Sequence, residues 1–295
     1  MLLPLPVLAA GCSSTTGAGP TTATPPATSS GRPVAVASPP PGALVIAVVG
    51  DYGGCAVDCS EEQKVADMVH SWAPRAIISV GDNAYDPPDK SAADMLPYAA
   101  DIAAGRFLAA LGNEDYGDNC SQATVAARLA ALHQRDRHFV STLGAGLLDV
   151  FVADTECGEP DGFTPGSAQA VELKAAVARS IARWRVVVGH RPPYSSGPSH
   201  GNPGSTWLAP PGTDLVLSGH DHNFEELVAG GMHYVIDGAG GHGLHPQCQP
   251  ACAPQSVWRD DSHFGAVRLT ITQSRLLVEY VAVGGAVLHS FALTR

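Results

Sequence analysis

The sequence predicts a layered α/β domain in which sheets of β-strands lie between helices. Two observations predict this fold class: short runs of valine, isoleucine and leucine alternate with amphipathic helical stretches from residue 43 onward, and strand-like runs follow one another near the C-terminus. The chain has 295 residues, 45% of them hydrophobic, which is enough for one large domain with a sizeable core. Without an internal repeat or a second linker, one folded domain over residues 44–295 is the simplest organisation.

The first two strands are predicted where β-branched apolar runs end in glycine, at 44–50 and 76–80. Between them, Val65, Met68 and Val69 recur at helical spacing within 61–72, with charged residues on the other side. The later elements are predicted in the same way: strand 107–111, helix 122–133, a hairpin of 139–142 and 147–153 around Gly144, helix 167–182, and strands 184–188, 215–217, 232–236, 266–271, 276–281 and 286–292.

The N-terminal segment predicts export. Residues 1–11 read as a signal peptide, because an apolar stretch is followed by small residues. The run Leu8–Cys12 resembles a bacterial lipobox, in which the cysteine carries the lipid; the open alternative is an ordinary cleaved signal with an incidental cysteine. In 12–43, 22 of 32 residues are Pro, Ser, Thr or Gly, which predicts a disordered tether. We therefore expect an envelope protein held through Cys12 at the outer face of the cytoplasmic membrane.

The cysteines fit an oxidising compartment. Six remain besides Cys12, and an even number in an exported chain predicts three disulfides, although six cysteines allow 15 pairings. Two pairs have a four-residue spacing that suits a bridge within a turn, and the remaining two would close a long loop: Cys55–Cys59, Cys248–Cys252 and Cys120–Cys157. A zinc site built from these thiols is the competing interpretation, but neither close pair has the two-residue gap of a zinc knuckle.

Charge and hydropathy exclude two classes of partner. The formal net charge of −11 argues against a nucleic-acid duplex, which requires a basic face. No run approaches the length of a membrane-spanning helix, so membrane contact is expected only through a lipidated Cys12. The oligomeric state cannot be predicted from these features.

Polar side chains follow five of the predicted strands, in each case directly after a glycine or within four residues of one. Loops at strand carboxyl ends converge in open α/β sheets, so we expect these side chains to lie together. Oxygen and imidazole donors without a thiolate suit iron, zinc or manganese, and one bridging aspartate makes the set sufficient for two ions. The candidate metal ligands are Asp51, Asp82, Tyr85, Asn113, His190, His220 and His222.

These five blocks resemble the metallophosphoesterase (calcineurin-like) superfamily, and specifically its purple acid phosphatase and tartrate-resistant acid phosphatase branch. The features that carry the resemblance are Gly50–Gly53, Tyr85 three residues after Asp82, and the run His190–Gly197. The resemblance covers about residues 44 to 295. It implies a four-layer α/β/β/α sandwich with a dinuclear metal site at the C-terminal ends of the strands.

The resemblance also implies two metal ions: Fe(III), and a second ion that is Fe(II), Zn(II) or Mn(II). It implies that the ferric ion is held by Asp51, Tyr85 and His222. It implies that the second ion is held by Asn113, His190 and His220, and that Asp82 bridges both ions. The phenolate of Tyr85 is a hard anionic donor, which is why iron is preferred over two zinc or two manganese ions.

One block departs from the family pattern. Glu114 stands where the family carries a histidine that contacts the phosphate, and a carboxylate there repels a phosphate dianion unless it is protonated. His200 falls where tartrate-resistant relatives have a second substrate-contacting histidine, so His200 and Glu114 are the candidate catalytic groups. His242 and His245 are further candidates at the mouth of the site. Asp221 lies between two ligand histidines, where it either supports them or is solvated, and we expect the latter.

The implied reaction is hydrolysis of phosphate monoesters, small-molecule substrates, by water that the two ions activate. Two alternatives stay open. A phosphodiesterase or nucleotidase would use the same ions, and the loss of the histidine at Glu114 would harm it less because a diester carries less charge. A metal- or phosphate-binding envelope protein that has lost catalysis through Glu114 is the third hypothesis.

Overall fold

The computed structural model describes residues 34–54, 60–88, 90–117, 119–199 and 201–295. The predicted signal peptide, Cys12, most of the predicted tether, the Cys55–Cys59 pair and His200 lie outside these residues. Two residues of the segment predicted as a tether, Val34 and Ala35, pair with the last strand of the chain. Within the described residues, none of the helices has the length and apolar character that a membrane crossing requires.

The described residues form fourteen strands and five α-helices, in the order that follows. The strands are β1 (Val34–Ala35), β2 (Leu44–Val49), β3 (Ala76–Ser79), β4 (Phe107–Ala109), β5 (Phe139–Leu143), β6 (Leu148–Val152), β7 (Trp184–Val188), β8 (Leu215–Ser218), β9 (Phe224–Ala229), β10 (Met232–Asp237), β11 (Ser256–Asp260), β12 (Gly265–Ile271), β13 (Arg275–Ala282) and β14 (Ala286–Thr294). The helices are α1 (Ser60–Ser71), α2 (Ala99–Ala103), α3 (Asn113–Tyr116), α4 (Gln122–Ala131) and α5 (Ala168–Arg179), with 3₁₀ turns at Leu96–Tyr98 and Pro203–Leu208.

Two seven-stranded mixed sheets pack face to face. The strand order is β1-β14-β13-β12-β2-β3-β4 in one sheet and β11-β9-β10-β8-β7-β6-β5 in the other. Strands β2, β3 and β4 are parallel, and so are β6, β7, β8 and β10, so each sheet has a parallel centre. The carboxyl ends of these parallel strands are where the polar loops begin.

The alternation of side chains along each strand produces the layers. On β2, Ile46 and Val48 enter the core between the sheets, while Ala47 and Val49 pack toward α1, which contributes Val65. The second sheet repeats the pattern with a separate outer core against α5. The result is the α/β/β/α sandwich that the sequence predicts, and the predicted fold class is confirmed.

The predicted elements are present, with small differences at their ends. Strands β5 and β6 pair antiparallel as the predicted hairpin. Helix α5 ends at Arg179, three residues before the predicted end, because Ser180 adopts extended backbone. Three strands were not predicted, β1, β9 and β11. Strand β9 contains two adjacent glutamates that the fold buries, Glu225 and Glu226, so it lacks the apolar run by which the other strands are recognised.

The structure contains two of the three predicted disulfides, Cys120–Cys157 and Cys248–Cys252. The four cysteines of the described residues are therefore bonded in pairs, and they form no thiolate zinc site.

Candidate metal centre

Each predicted ligand lies at the C-terminal end of a parallel strand. Asp51 follows β2, Asp82 and Tyr85 follow β3, and Asn113 begins α3 after β4 in the first sheet; His190 follows β7, and His220 and His222 follow β8 in the second sheet. The loops of the two sheets thus meet at one edge of the sandwich. Among the described residues, three groups of three side chains offer metal-ligand atoms within 4.8 Å of one another. Two of these groups belong to this edge and share Asp82, whereas the third, of His138, Glu159 and Asp161, contains none of the predicted ligands.

The first group contains Asp51, Asp82 and His222. His222 Nε2 lies 3.3 Å from Asp51 Oδ1. The hydroxyl of Tyr85 is 3.0 Å from the same Nε2 and 3.4 Å from Asp82 Oδ2, so the phenol joins the group. Two carboxylates, a phenol and an imidazole therefore converge here, and they are the side chains that are predicted from the sequence around one of the two ions.

The second group contains Asp82, His190 and His220. His190 Nε2 lies 3.3 Å from Asp82 Oδ2 and 3.2 Å from the amide oxygen of Asn113. His190 Nδ1 is 2.9 Å from the carbonyl oxygen of Val80, to which it donates because a carbonyl only accepts. This hydrogen bond leaves Nε2 as the nitrogen that faces the donor group, so the imidazole is oriented for a cation.

Three of the seven candidate ligands have a strained backbone conformation. Asp51, Asp82 and His220 have positive φ angles of 52°, 51° and 73°. Such conformations cost on the order of 1–3 kcal/mol for a residue other than glycine, and they concentrate at functional sites. The surrounding fold therefore holds these turns against a local preference.

Glycine precedes five of the seven predicted ligands because a side chain at these positions would collide with a neighbouring loop. A Cβ at Gly112 would lie 2.1 Å from Asp82 Oδ1 and 2.4 Å from its backbone nitrogen. A Cβ at Gly81 would lie 2.4 Å from His190 Nδ1. The glycines that mark the predicted ligands in the sequence are thus positions where two loops approach closely.

A buried polar network fixes the loops after β3 and β4 relative to each other. The side chain of Asn83 donates to Asp115 Oδ2 at 2.8 Å and to the carbonyl oxygen of Ala110 at 2.8 Å, and its own oxygen accepts from Ser79. Arg128 from α4 lies 3.2 Å from Asp115, and both side chains are fully buried. Asn83 and Asp115 lie within two residues of the predicted ligands Asp82 and Asn113, so the network holds the loops that carry these ligands.

Electrostatics prepare the two groups for cations. Burial raises the pKa of Asp82, but the charge and hydrogen bond of His190 outweigh it and hold the pKa at about 2, so Asp82 is ionised. Burial lowers the pKa of His190, but Asp82 and Asp51 raise it to about 10, so a cation at Nε2 must displace a proton. Burial and the charges of His190 and Arg191 lower the pKa of His220 to about 3, which keeps that imidazole neutral.

Tyr85 differs from the other candidate ligands in its protonation. Burial raises the pKa of its phenol well above the usual value, and the nearby carboxylates of Asp82 and Asp51 raise it further. The phenol loses its proton here only if a strongly charged cation takes its place.

A cavity of about 460 Å³ opens onto the ligands. Apart from ligand residues, it is lined by Glu114 and by the loop of His242, Gly243, Leu244 and His245. His242 stacks on Tyr85 at 3.5 Å between ring centroids, and His245 stacks on His222 at 3.9 Å. Larger clefts of about 660 and 730 Å³ lie elsewhere on the molecule and contain none of the candidate ligands, so cavity size alone does not indicate this site.

Of the two candidate catalytic residues, Glu114 and His200, the structure describes only Glu114. Glu114 lies at the wall of the cavity, where its backbone N–H donates to Asp82 Oδ1 at 2.9 Å and its carboxylate accepts from the side chain of Asn113 at 2.7 Å. His200 is outside the described residues, so its role stays a prediction. The expectation for Asp221 is wrong: this residue is 2% exposed, and it accepts hydrogen bonds from the backbone and hydroxyl of Ser199.

Two charged residues beside the site were not predicted. Glu156 follows β6, and Arg191 directly follows His190. Their side chains form an ion pair of 2.9 Å next to His220. The parallel pairing of β6 with β7 places Glu156 at this edge. The sequence predicts β6 only as one half of a hairpin with β5, and a hairpin does not indicate the pairing with β7.

The donor set fits a pair of hard or borderline cations. It offers two buried carboxylates, one of them common to both groups, together with an amide oxygen, a phenol and three imidazoles, and no thiolate. A two-sheet sandwich with such a set on five strand-end loops defines a metal-dependent hydrolase of the phosphoesterase class. The comparisons with known proteins give the family.

The chain belongs to the calcineurin-like phosphoesterase family, whose model matches residues 44–224. Residues 231–290 match a second model, described as iron/zinc purple acid phosphatase-like protein C. The chain is therefore a purple acid phosphatase-like metallophosphoesterase, an enzyme of metal-dependent phosphoester hydrolysis.

The chain is also similar in sequence to phosphatases of this family. Purple acid phosphatase 7 of Arabidopsis thaliana is 28% identical over 260 residues, which cover 74% of this chain and 76% of the relative. Tartrate-resistant acid phosphatase type 5 of Homo sapiens is 25% identical over 300 residues, which cover 86% of this chain and 91% of the relative. These relatives are phosphatases in which a dinuclear metal centre is typical.

Solved structures share the fold. A purple acid phosphatase from yellow lupin seeds superposes with a TM-score of 0.70 at 21% identity, over 88% of this chain and 55% of the lupin chain. This chain thus spans about half the length of the lupin protein. A Plasmodium protein described as GAP50, the anchor in the inner membrane complex, superposes with a TM-score of 0.63 at 20% identity, over 85% of this chain and 89% of that one.

Proposed function

We propose that this protein is an acid phosphatase-like enzyme that hydrolyses phosphate monoesters with two metal ions, Fe(III) together with Fe(II), Zn(II) or Mn(II). The observation that carries the proposal is the carboxylate of Asp82, which belongs to both convergent donor groups. A shared carboxylate holds two cations close together, and a close pair of cations is suited to grip one phosphoryl group.

When bound, the two ions neutralise the phosphate oxygens and acidify water, so hydroxide becomes available at mild pH. The chain's own residues hold the arrangement rigid. The backbone N–H of Glu114 fixes one oxygen of Asp82, and the carbonyl of Val80 fixes the ring of His190. Such fixed partners keep the ligands oriented without reorganisation during the reaction.

The leaving alkoxide requires a proton, and two residues are proposed as its source. Glu114 lines the cavity, and it can donate only in its protonated form. His200 is the second candidate, on the basis of its place in the sequence after His190. An enzyme that depends on a trivalent ion and on a protonated carboxyl is expected to work best in acid.

A phosphodiesterase or nucleotidase is the second candidate function, and one observation favours it. The carboxylate of Glu114 stands in the wall of the cavity beside Asn113, where it repels a dianionic monoester more strongly than a monoanionic diester. The third candidate, a protein that binds metal without turnover, follows if the repulsion by Glu114 prevents catalysis altogether.

We also propose that the protein is exported and held by lipid at Cys12, so that the residues that follow act as a tether between the membrane surface and the catalytic domain of 44–295. The support comes from the sequence: an apolar N-terminal stretch, the run Leu8–Cys12, and a segment rich in Pro, Ser, Thr and Gly. Disulfides in the described residues are compatible with an oxidising compartment.

Hydrolysis of 4-nitrophenyl phosphate and of bis(4-nitrophenyl) phosphate by the metal-loaded full chain tests the proposal. We expect the monoester to be the better substrate, and we expect Asp82→Ala to lose both activity and metal. Asp149→Ala is the matched control, because Asp149 is a buried aspartate on β6 that accepts from Thr142 and Ser180. Parent-like activity in Asp82→Ala contradicts the site, faster diester cleavage supports the diesterase, and bound metal without turnover supports the binding protein.

A further inference from the structure

Arg191 directly follows His190 and has no part in the proposed ligand set. Its guanidinium reaches back to the metal centre, where Nη1 lies 3.0 Å from His220 Nε2. The side chain is 32% exposed, so it lies at the border between the buried ligands and solvent. Arginine keeps its charge at all accessible pH values, so this is a permanent cation beside the site.

A buried carboxylate holds Arg191 in place. Glu156 Oε2 accepts from Arg191 Nε at 2.9 Å, and the Glu156 side chain is fully buried. Its other oxygen accepts from the hydroxyl of Thr155 at 3.2 Å, and the same hydroxyl accepts from the backbone N–H of Arg191 at 3.0 Å. The loops after β6 and β7 are thus joined around the guanidinium, which leaves it little freedom to turn away.

The hydrogen-bonding capacity of Arg191 is only partly used. A guanidinium has five N–H donors. Among the described residues, only Glu156 and His220 accept from it, one through Nε and one through Nη1. Three N–H groups, including both of Nη2, therefore have no acceptor in the described part of the chain, although the group is rigidly held. A fork of donors fixed in this way matches the oxygens of a phosphoryl group.

We propose that Arg191 is a substrate-binding residue that contacts the terminal phosphoryl group, with Glu156 as its positioning residue. The inference rests on the proposed function, because it assigns the substrate's phosphate to the same site. It also specifies the substrate class. The phosphoryl group of a monoester presents three non-bridging oxygens and two negative charges, whereas a diester presents two such oxygens and one charge. A fixed cation beside the two ions thus favours monoesters and counteracts the repulsion by Glu114.

The test compares variants of the metal-loaded full chain in three measurements. They are the affinity for inorganic phosphate by calorimetry, kcat/KM for the monoester and diester of 4-nitrophenol, and metal content. The variants are Arg191→Met, which removes the charge, Arg191→Lys, which keeps the charge without the fork, and Glu156→Gln. Arg185→Met is the matched control, because Arg185 lies near the start of β7, with Nε 3.8 Å from Asp214 Oδ2.

Arg191→Met is expected to weaken phosphate binding and monoester kcat/KM by about 10- to 100-fold, the range for a charged hydrogen bond. Diester kcat/KM is expected to fall by less than about threefold, because that substrate lacks the third oxygen. Arg191→Lys and Glu156→Gln should show smaller losses in the same direction, and Arg185→Met should show none. Metal content should stay at the parent value in all four variants.

Parent-like phosphate affinity in Arg191→Met, with metal retained, overturns the proposal. Loss of metal from Arg191→Met without a change in phosphate affinity per loaded chain also overturns it, since Arg191 would then serve only to hold His220. A parent chain that cleaves neither ester refutes the proposed function instead. In that case the phosphate titration still decides the role of Arg191.

Discussion

Replacement of Gly112 by alanine is the most specific perturbation of the metal centre that the backbone offers. The new Cβ would lie 2.1 Å from Asp82 Oδ1 and 2.4 Å from the backbone nitrogen of Asp82, whereas real Cβ contacts are not below 3.0 Å. To reach that distance the carboxylate oxygen must move by about 0.9 Å and the nitrogen by about 0.6 Å. Because the nitrogen belongs to the main chain, a change of rotamer cannot relieve the contact, and the loop after β3 must shift.

A displacement of this size is large for a catalytic site. Misplacement by about 1 Å costs on the order of 100-fold in rate, which is about 2.7 kcal/mol of transition-state stabilisation. Overpacking of the buried loop adds about 1–3 kcal/mol of lost folding stability. We therefore expect Gly112→Ala to lose metal, to lower kcat/KM for 4-nitrophenyl phosphate by about 100-fold or more, and to unfold at a lower temperature.

Gly243→Ala is the control, because Gly243 lines the same cavity, a Cβ there meets no atom within 4 Å, and its φ is not positive. The assay combines elemental analysis, phosphate release and thermal unfolding for both variants. If Gly112→Ala keeps the metal content and activity of the parent, Asp82 does not occupy the position described and the reasoning fails.

Three further predictions concern catalysis, pH and the disulfide. Glu114→His should leave metal content unchanged and raise monoester kcat by about 10-fold, because an imidazole can give a proton to the leaving group without the negative charge by which an ionised carboxylate repels the phosphate; unchanged kinetics would show that Glu114 does not face the phosphate. Burial, followed by the charge of Asp94, raises the pKa of Glu62 from 4.5 to about 8. The folded chain therefore keeps this proton while the unfolded chain loses it, and the free energy of unfolding should fall as pH rises across that window. Urea unfolding at pH 5 and pH 8 should show that the free energy of unfolding decreases less in Glu62→Gln than in the parent, by on the order of 2 kcal/mol. An equal decrease in the two proteins would contradict the prediction. Replacing Cys120 and Cys157 by serine opens a loop with a sequence separation of 37, which should cost about 4 kcal/mol in denaturant unfolding; a loss below about 1 kcal/mol would show that the bridge contributes little.

The fold could be predicted from the sequence because its centre is built from parallel strands buried on both faces. Such strands appear as continuous apolar runs, as in β2 and β3, and their glycine ends mark the turns. Strand β9 escaped prediction because its burial depends on tertiary partners of its two glutamates. Glu225 accepts from Ser196, and Glu226 lies between His233 and His289, contacts that no local pattern contains.

The candidate ligands could be found because each follows its own strand and the types of side chain share one chemistry. The supporting residues could not, since their role comes from pairing between distant segments. Asp221 seemed to be a solvated residue between two ligands, and only the fold shows Ser199 donating to it. Glu156 meets Arg191 only because β6 runs parallel to β7, a register that a hairpin pattern does not reveal.

The central claim is that Asp82 stands between two cation positions, and the number of metal ions in the purified full chain tests it most directly. Elemental analysis after loading with iron and zinc, followed by removal of free metal, should give two ions per chain for the parent and fewer than one for Asp82→Ala. One ion or none in the parent, or two ions in Asp82→Ala, would contradict the account.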